Sequence, residues 1–121
     1  MKKVKDIMSK KFSYCTPLDN VYEAAVKMKK FNVDVIPIIE NEQLIGMVTN
    51  RDIVIKGVAE KHPGSTKITD IMTREVVEIA PEATVEEAAQ LFAVHPIQQL
   101  PVVENGQMIG MVNRTDVKQQ A

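Results

Sequence analysis

The sequence contains no tryptophan, and aromatic residues make up only 4% of its 121 residues. A core built from this composition depends on Ile, Val, Leu, Met and Ala, which suit small, closely packed elements. Cys15 is the single cysteine, so the chain cannot form an intramolecular disulfide, and the sequence has no CxxC or other metal-type spacing. A reducing cytoplasm is therefore the expected compartment.

An excess of charge of one sign is also absent. The formal net charge is −1, and no long run of Lys or Arg supplies the basic stripe that a phosphate backbone needs. We therefore expect no nucleic-acid partner. No stretch approaches the roughly 20 apolar residues of a membrane span, and no apolar segment follows the opening Met1-Lys2-Lys3. The sequence thus predicts neither a membrane association nor a signal peptide.

What the sequence does contain is an internal duplication. A shift of 64 positions aligns Val4–Val54 with Ile68–Lys118 without a gap, and about a third of the aligned positions are identical. This duplication predicts one repeat at 1–61, a linker at 62–67 and a second repeat at 68–121. The shared blocks include Asp6-Ile7-Met8 with Asp70-Ile71-Met72, Glu23-Ala24-Ala25 with Glu87-Ala88-Ala89, and Ile45-Gly46-Met47-Val48 with Ile109-Gly110-Met111-Val112.

The first half of each copy predicts a helical turn, a short extended stretch and a helix. In copy one the turn covers Val4–Met8 and the extended stretch covers Ser13–Thr16. Apolar residues at positions 21, 24, 25 and 28 then follow the i, i+3, i+4, i+7 spacing of one helix face. Thr84 and Glu87 predict a capping box at the start of this helix in copy two, and copy one has a looser equivalent at positions 20 and 23.

The second half of each copy predicts a hairpin followed by another helix. Strands at Val35–Glu40 and Leu44–Val48 are separated by Asn41-Glu42, and the equivalent Asn105-Gly106 is the strongest short hairpin signal available. The last helix begins near Asp52 and runs toward residue 61. The expected fold class is therefore α/β (α+β), with a β-α-β-β-α order in each copy.

These segments together resemble a CBS domain. In copy one they are Asp6-Ile7-Met8-Ser9, Glu23-Ala24-Ala25, Ile36-Pro37-Ile38 and Gly46-Met47-Val48-Thr49-Asn50-Arg51-Asp52. The resemblance implies a tandem pair, or Bateman module, whose copies pack sheet to sheet with pseudo-two-fold symmetry. It also implies a homodimer and clefts that accept AMP, ADP, ATP or S-adenosylmethionine as regulatory ligands. It implies no required cofactor, and it leaves the downstream protein partner unknown.

The resemblance also assigns residues to a first cleft. Asp52 is expected to hold the ribose, because a carboxylate can accept two vicinal hydroxyls. Thr49 and Arg51 are expected to face phosphate near a helix N-terminus, and Gly46 is expected to let the backbone pass close to the ligand. The adenine wall and the rim of this cleft are expected at Val35, Ile36, Pro37 and Thr16. From local sequence alone, the spacing of Thr49 and Asp52 is explained equally well by helix capping.

The second cleft is predicted to differ from the first. Asn113 replaces the hydroxyl residue while Asp116 is kept, and Asn remains a good helix N-cap. Gln98-Gln99 makes the base-facing wall more polar, so a different ligand or none is expected there. The residues assigned to this cleft are Gln99, Leu100, Pro101, Asn113, Arg114 and Asp116.

Four further interpretations concern chemistry and assembly. Cys15 aligns with Ile79, which indicates a small buried apolar residue rather than a reactive thiol. The helix after Asp52 is apolar around more than one face, which indicates either a dimer contact or packing within the monomer. A pure dimerisation or assembly domain is the alternative to ligand sensing. We expect no enzyme, because the similar pair in IMP dehydrogenase accompanies a catalytic barrel of about 250 residues that is missing from this chain.

Overall fold

The computed structural model describes residues 2–120, and the chain divides into two compact units. The first unit is Ser13–Val76, and the second unit combines Met1–Phe12 with Val77–Ala121. Neither unit is therefore identical to one repeat of the sequence. The opening segment of each repeat packs into the unit that contains the hairpin of the other repeat.

The described elements are mixed helix and antiparallel strand. In chain order they are α1 (Val4–Ile7), α2 (Val21–Phe31), β1 (Val35–Glu40), β2 (Gln43–Thr49), α3 (Asn50–Asp52), a π-helical segment (Ile53–Val58), a 3-10 turn (Ile68–Asp70), α4 (Val85–Val94), β3 (Gln99–Glu104), β4 (Gln107–Asn113) and α5 (Arg114–Lys118). The predicted extended stretches near residues 15 and 79 are single parallel bridges, Cys15 to Ile38 and Ile79 to Val102. The predicted order of helices and hairpins is confirmed, with a single bridge in place of the first strand of each copy.

Both hairpins close through the two-residue turns that the sequence predicts. Asn41 and Glu42 have φ values of 52° and 69°, and Asn105 and Gly106 have values of 54° and 81°. Positive φ at both central residues is the type I′ geometry that matches the twist of the flanking strands. Each hairpin carries one register irregularity at the equivalent place, between positions 38 and 39 and between 102 and 103.

The two long helices begin at side-chain caps, but the stricter cap is in copy one. Asn20 accepts from the Glu23 amide at 2.8 Å, and Glu23 accepts from the Asn20 amide at 3.1 Å. Thr84 accepts from the Glu87 amide at 3.2 Å, but its hydroxyl also donates to the Glu87 carboxylate at 3.4 Å. The prediction of a full capping box at α4 and a looser one at α2 was therefore wrong, because the Glu87 carboxylate accepts the Thr84 hydroxyl.

Each unit has its own apolar core of mainly aliphatic side chains, joined by Met28 and Met72 in the first unit and by Phe92 in the second. In the first unit the core joins α2 to the hairpin and to the 3-10 turn. Its members are Cys15, Val21, Ala24, Met28, Ile36, Ile38, Val48, Ile68, Ile71 and Met72. The core of the second unit consists of Val4, Ile79, Val85, Ala88, Phe92, Leu100, Val102, Val112 and Val117. The opening segment of the other repeat thus supplies core residues to each unit.

The equivalent glycines Gly46 and Gly110 are required by this exchange of segments. A β-carbon on Gly46 would lie 2.7 Å from the Met72 sulfur and 3.0 Å from the Thr73 carbonyl oxygen. Met72 is buried in the core of the first unit, and the Thr73 carbonyl is fixed by its hydrogen bond from the Met47 amide at 2.9 Å. Gly46 therefore admits the chain's own backbone, which corrects the expectation that it makes room for a ligand.

The helix that follows β2 is not a regular α-helix. It begins at Asn50 and passes at Ile53 into a π-helical segment that ends at Val58. Its counterpart α5 in the second unit is α-helical. Val54, Ile55 and Val58 remain 56%, 47% and 69% exposed. The interpretation that the monomer covers this apolar face was therefore wrong.

The thiol of Cys15 is expected to resist modification in the folded protein. Its side chain is completely buried, and burial raises the pKa of the Cys15 thiol to about 11. Because the thiolate is the reactive form, we expect labelling by an aromatic disulfide reagent at pH 8 to be slow and to become fast in denaturant. Equal rates in the two conditions would contradict the buried placement.

Candidate functional site

Thr49 and Asp52 form the centre of the candidate site, at the junction of β2 and α3 in the first unit. The Asp52 amide donates to the Thr49 hydroxyl at 3.0 Å, and the Thr49 amide donates to the Asp52 carboxylate at 3.0 Å. This reciprocal capping box is the one that the sequence predicts. The capping box holds the Asp52 side chain in one orientation. The residue is buried, with 8% of its surface exposed.

Two further side chains complete the surroundings of the Asp52 carboxylate. The Lys56 ammonium lies 3.2 Å from Asp52 Oδ1 and also donates to the Thr73 hydroxyl at 3.2 Å. The Thr73 hydroxyl lies 3.4 Å from each carboxylate oxygen. A buried carboxylate is costly without partners, and here a cap, a cation and a hydroxyl stabilise it.

Sequence reasoning missed Lys56 and Thr73. A signal existed for Lys56, because a Lys four residues after an Asp in a helix is a standard ion-pair spacing. Thr73 had no local signal, since it lies 21 residues beyond Asp52. It reaches the site because the opening segment of repeat two packs against β2, where Met47 and Thr73 exchange backbone hydrogen bonds of 2.9 and 2.8 Å.

The residues predicted to form an adenine wall lie on β1, beside this centre. Val35 is half-buried and directly opposite Thr49 in the hairpin. Ile36 is completely buried in the core of the first unit, and Pro37 is also buried. Of the three side chains, only that of Val35 is both accessible and next to the Thr49–Asp52 centre.

Thr16 and Arg51 occupy different surroundings. Thr16 opens a turn in which its amide donates to Asp19 at 2.8 Å and its hydroxyl accepts from the Leu18 amide at 3.2 Å. Arg51 is exposed and lines a shallow pocket of about 230 Å³. The other residues that line this pocket are Asn50, Val54 and Ile55. The pocket therefore lies on the apolar face of the helix, and its lining does not include Asp52.

The second unit arranges the equivalent position differently. The side-chain amide of Gln99 donates to Asn113 Oδ1 at 2.6 Å. The side-chain amide of Asn113 donates to the Asp116 carboxylate at 3.2 Å. Asn113 makes no side-chain cap to the helix. The prediction that Asn113 preserves the N-cap was therefore wrong, because its carbonyl oxygen accepts from Gln99 and its amide donates to Asp116. Leu100 and Pro101, the two other strand residues assigned to this cleft, are buried.

Arg114 acts as a structural residue in the second unit. Its guanidinium donates to the carbonyl oxygens of Phe92, His95 and Ile97 at 2.6, 3.0 and 2.9 Å. It also lies over the Phe92 ring, 5.2 Å from the ring centre. These contacts hold Arg114 against carbonyl oxygens in the last turn of α4 and just beyond it. The structure brings Gln99, Asn113 and Asp116 together and holds the Arg114 guanidinium at the end of α4.

The sequence belongs to the CBS domain family, whose model matches residues 4–57 and 68–120. The two matched ranges lie within the two repeats that the sequence predicts. Among the described residues, no helix is long and apolar enough to cross a membrane.

Three relatives illustrate the range of this family. The uncharacterized protein YlbB of Bacillus subtilis is 47% identical, over 97% of this chain and 80% of its own length. The CBS domain-containing protein YhcV of the same organism is 37% identical, over 97% of this chain and 84% of its own length. Inosine-5′-monophosphate dehydrogenase of Staphylococcus haemolyticus is 37% identical over 87% of this chain, but the match covers only 21% of that enzyme.

Solved structures share the fold over nearly the full chain. A putative acetoin utilization protein from Vibrio cholerae is 26% identical with a TM-score of 0.90, over 99% of this chain and 90% of that one. The CBS domain pair of MJ0100, in complex with 5′-methylthioadenosine and S-adenosyl-L-methionine, is 28% identical with a TM-score of 0.82, over 99% and 95%. CBSX2 in complex with AMP has a TM-score of 0.86 over 99% and 96%, and its 24% identity supports the fold alone.

Proposed function

We propose that this protein is a non-enzymatic regulatory module that binds an adenosyl ligand in its first unit, with the ribose on Asp52. The observation that carries this proposal is the Asp52 carboxylate, which is held rigidly by its capping box and yet keeps 8% of the residue exposed. The capping box fixes the orientation of a carboxylate whose oxygens can accept ribose hydroxyls. Val35 supplies an accessible apolar surface next to it for the base.

The family supports the same class of ligand. The MJ0100 pair holds two adenosyl compounds, and its match covers 99% of this chain. AMP, ADP, ATP and S-adenosylmethionine remain the candidate ligands. Regulation requires that the ligand favours one state of the protein or of its complex with a partner, and a coupling of about 1–3 kcal/mol is sufficient for this.

A thermal-shift series tests the proposal. A ligand present at about 100 times its Kd stabilises the native state by about 2.7 kcal/mol. AMP, ADP, ATP and S-adenosylmethionine should therefore be tested separately at millimolar concentration, with guanosine monophosphate as the control for the base. An unchanged Tm with all four ligands would contradict the proposed function.

The exposed face of the π-helical segment is proposed to form a homodimer contact. Val54, Ile55 and Val58 are adjacent apolar side chains with roughly half or more of their surface accessible. Burying them against the same face of a second copy would give a self-complementary two-fold interface.

Val58→Glu is expected to convert the dimer into a monomer while leaving the fold stable. The new carboxylate would be desolvated opposite its own copy in a two-fold interface, whereas the monomer exposes this position to water. Analytical ultracentrifugation measures the result, and Val94→Glu is the matched control because Val94 is 75% exposed on α4. A wild-type protein that sediments as a monomer at all tested concentrations would rule out this contact.

The alternative function is an assembly domain that binds no nucleotide. The capping box favours it, because the Thr49 and Asp52 side chains already fulfil a structural role that requires no ligand. The two functions differ in the thermal-shift series, where an assembly domain would show a concentration-dependent Tm but no response to adenosyl compounds.

A further inference from the structure

The acceptor capacity of Asp52 is almost filled by the protein itself. A carboxylate offers about four acceptor positions on its two oxygens. In the first unit the Thr49 amide occupies one, the Lys56 ammonium a second and the Thr73 hydroxyl a third. A ribose that donates two hydroxyls to Asp52 therefore has to displace one of these partners.

Two of these partners can leave: the Thr73 hydroxyl, which lies 3.4 Å from each oxygen, and the Lys56 ammonium, which is the charged partner. The Thr49 amide belongs to the backbone at the end of β2 and is fixed there. The Lys56 side chain is 48% exposed and ends in a flexible stem with a single charge. The Asp52 side chain is only 11% exposed, so the exchange costs little because the ribose hydroxyls replace the ammonium as donors to the carboxylate.

We infer that the Lys56 ammonium moves from Asp52 to the phosphate of the ligand when the ligand binds. This change of partner makes the first unit selective for phosphorylated adenosine. This inference rests on the proposed function. A released ammonium lies beside the ribose and needs a new anionic partner, which the 5′-phosphate of AMP supplies. Adenosine has no such group, and the sulfonium of S-adenosylmethionine places a second positive charge near Lys56.

The second unit provides a natural comparison. Gln120 occupies the position equivalent to Lys56, and Ser9 occupies the position equivalent to Thr73. Gln120 accepts from the Lys2 ammonium at 2.9 Å, and the Ser9 hydroxyl donates to the Lys11 carbonyl at 3.0 Å. The second unit therefore has no cation at the position equivalent to Lys56, so Lys56→Gln gives the first unit the residue that the second unit has there.

Calorimetric titrations of the full chain with AMP and with adenosine test this inference. For Lys56→Gln we expect AMP to bind about tenfold more weakly, which corresponds to the loss of one charge-assisted hydrogen bond. Adenosine should bind to Lys56→Gln with the same affinity as to the wild type, or more tightly, because no cation competes for Asp52. Lys56→Arg should retain the preference for AMP. Lys67→Gln is the control, since Lys67 is an exposed lysine of the same unit whose side chain makes no cap.

The outcomes separate the inference from the proposed function. If the wild type binds both compounds and Lys56→Gln weakens AMP alone, the inference is supported. If Lys56→Gln leaves AMP binding unchanged, or weakens AMP and adenosine by the same factor, Lys56 does not contact phosphate and the inference is wrong. If the wild type binds neither compound, the inference is wrong, and the proposed function fails as well if ADP, ATP and S-adenosylmethionine also leave the Tm unchanged.

Discussion

Asp52→Asn is expected to abolish the stabilisation of the native state by AMP. An Asn side chain keeps one carbonyl oxygen, which can accept the Thr49 amide that Asp52 accepts at 3.0 Å. Its other terminal group is an amide donor, which cannot accept a ribose hydroxyl and loses the attraction to Lys56. The helix start should therefore be preserved, while the stabilisation of about 2.7 kcal/mol at 100 times the Kd disappears.

The measurement is the free energy of unfolding in urea with and without AMP. The matched control is Asp116→Asn in the second unit, where the carboxylate accepts from the Asn113 side chain at 3.2 Å. This control should keep the stabilisation that arises in the first unit. An Asp52→Asn protein that AMP stabilises as strongly as the wild type would show that Asp52 does not hold the ribose.

Ile36→Ala is expected to destabilise the protein by about 2–5 kcal/mol, which is the usual cost of removing a large buried aliphatic side chain. Ile36 is completely buried in the core of the first unit. Its neighbour Val35 is half-buried opposite Thr49, so Val35→Ala should cost about 1 kcal/mol or less and instead weaken ligand binding. Urea denaturation followed by circular dichroism gives the first quantity, and calorimetry gives the second.

Leu100→Ala offers a matched test of the same argument in the second unit. Leu100 is the repeat equivalent of Ile36 and is also completely buried. A loss of stability similar to that of Ile36→Ala is expected, because each unit has its own core. If Val35→Ala destabilised the protein as much as Ile36→Ala, the assignment of Ile36 to the core and of Val35 to the site would be wrong.

The local features of this fold could be predicted from the sequence because they depend on residues close together in the chain. The turns at Asn41 and Asn105 need only residues that tolerate positive φ. The cap between Thr49 and Asp52 needs only a spacing of three. The duplication strengthened each of these predictions, since the two copies could be compared position by position.

The features that failed or were missed depend on contacts between distant segments. Asn113 is a good cap by residue type, but the side chain of Gln99 on the neighbouring strand bonds to it instead. The absence of a side chain at Gly46 was expected to let the backbone pass close to a ligand, whereas Met72 and Thr73 fill that space. Thr73 reaches Asp52 only because the start of repeat two packs into the first unit. Spacing within one repeat carries no information about that exchange.

A crystal structure of the protein grown with AMP would show directly whether Asp52 holds the ribose. We expect AMP in the first unit, with its ribose hydroxyls on the Asp52 carboxylate and the Lys56 ammonium moved from Asp52 to the phosphate. Crystals in which Asp52 keeps its pair with Lys56 and AMP is absent, or is bound away from Asp52, would contradict this expectation.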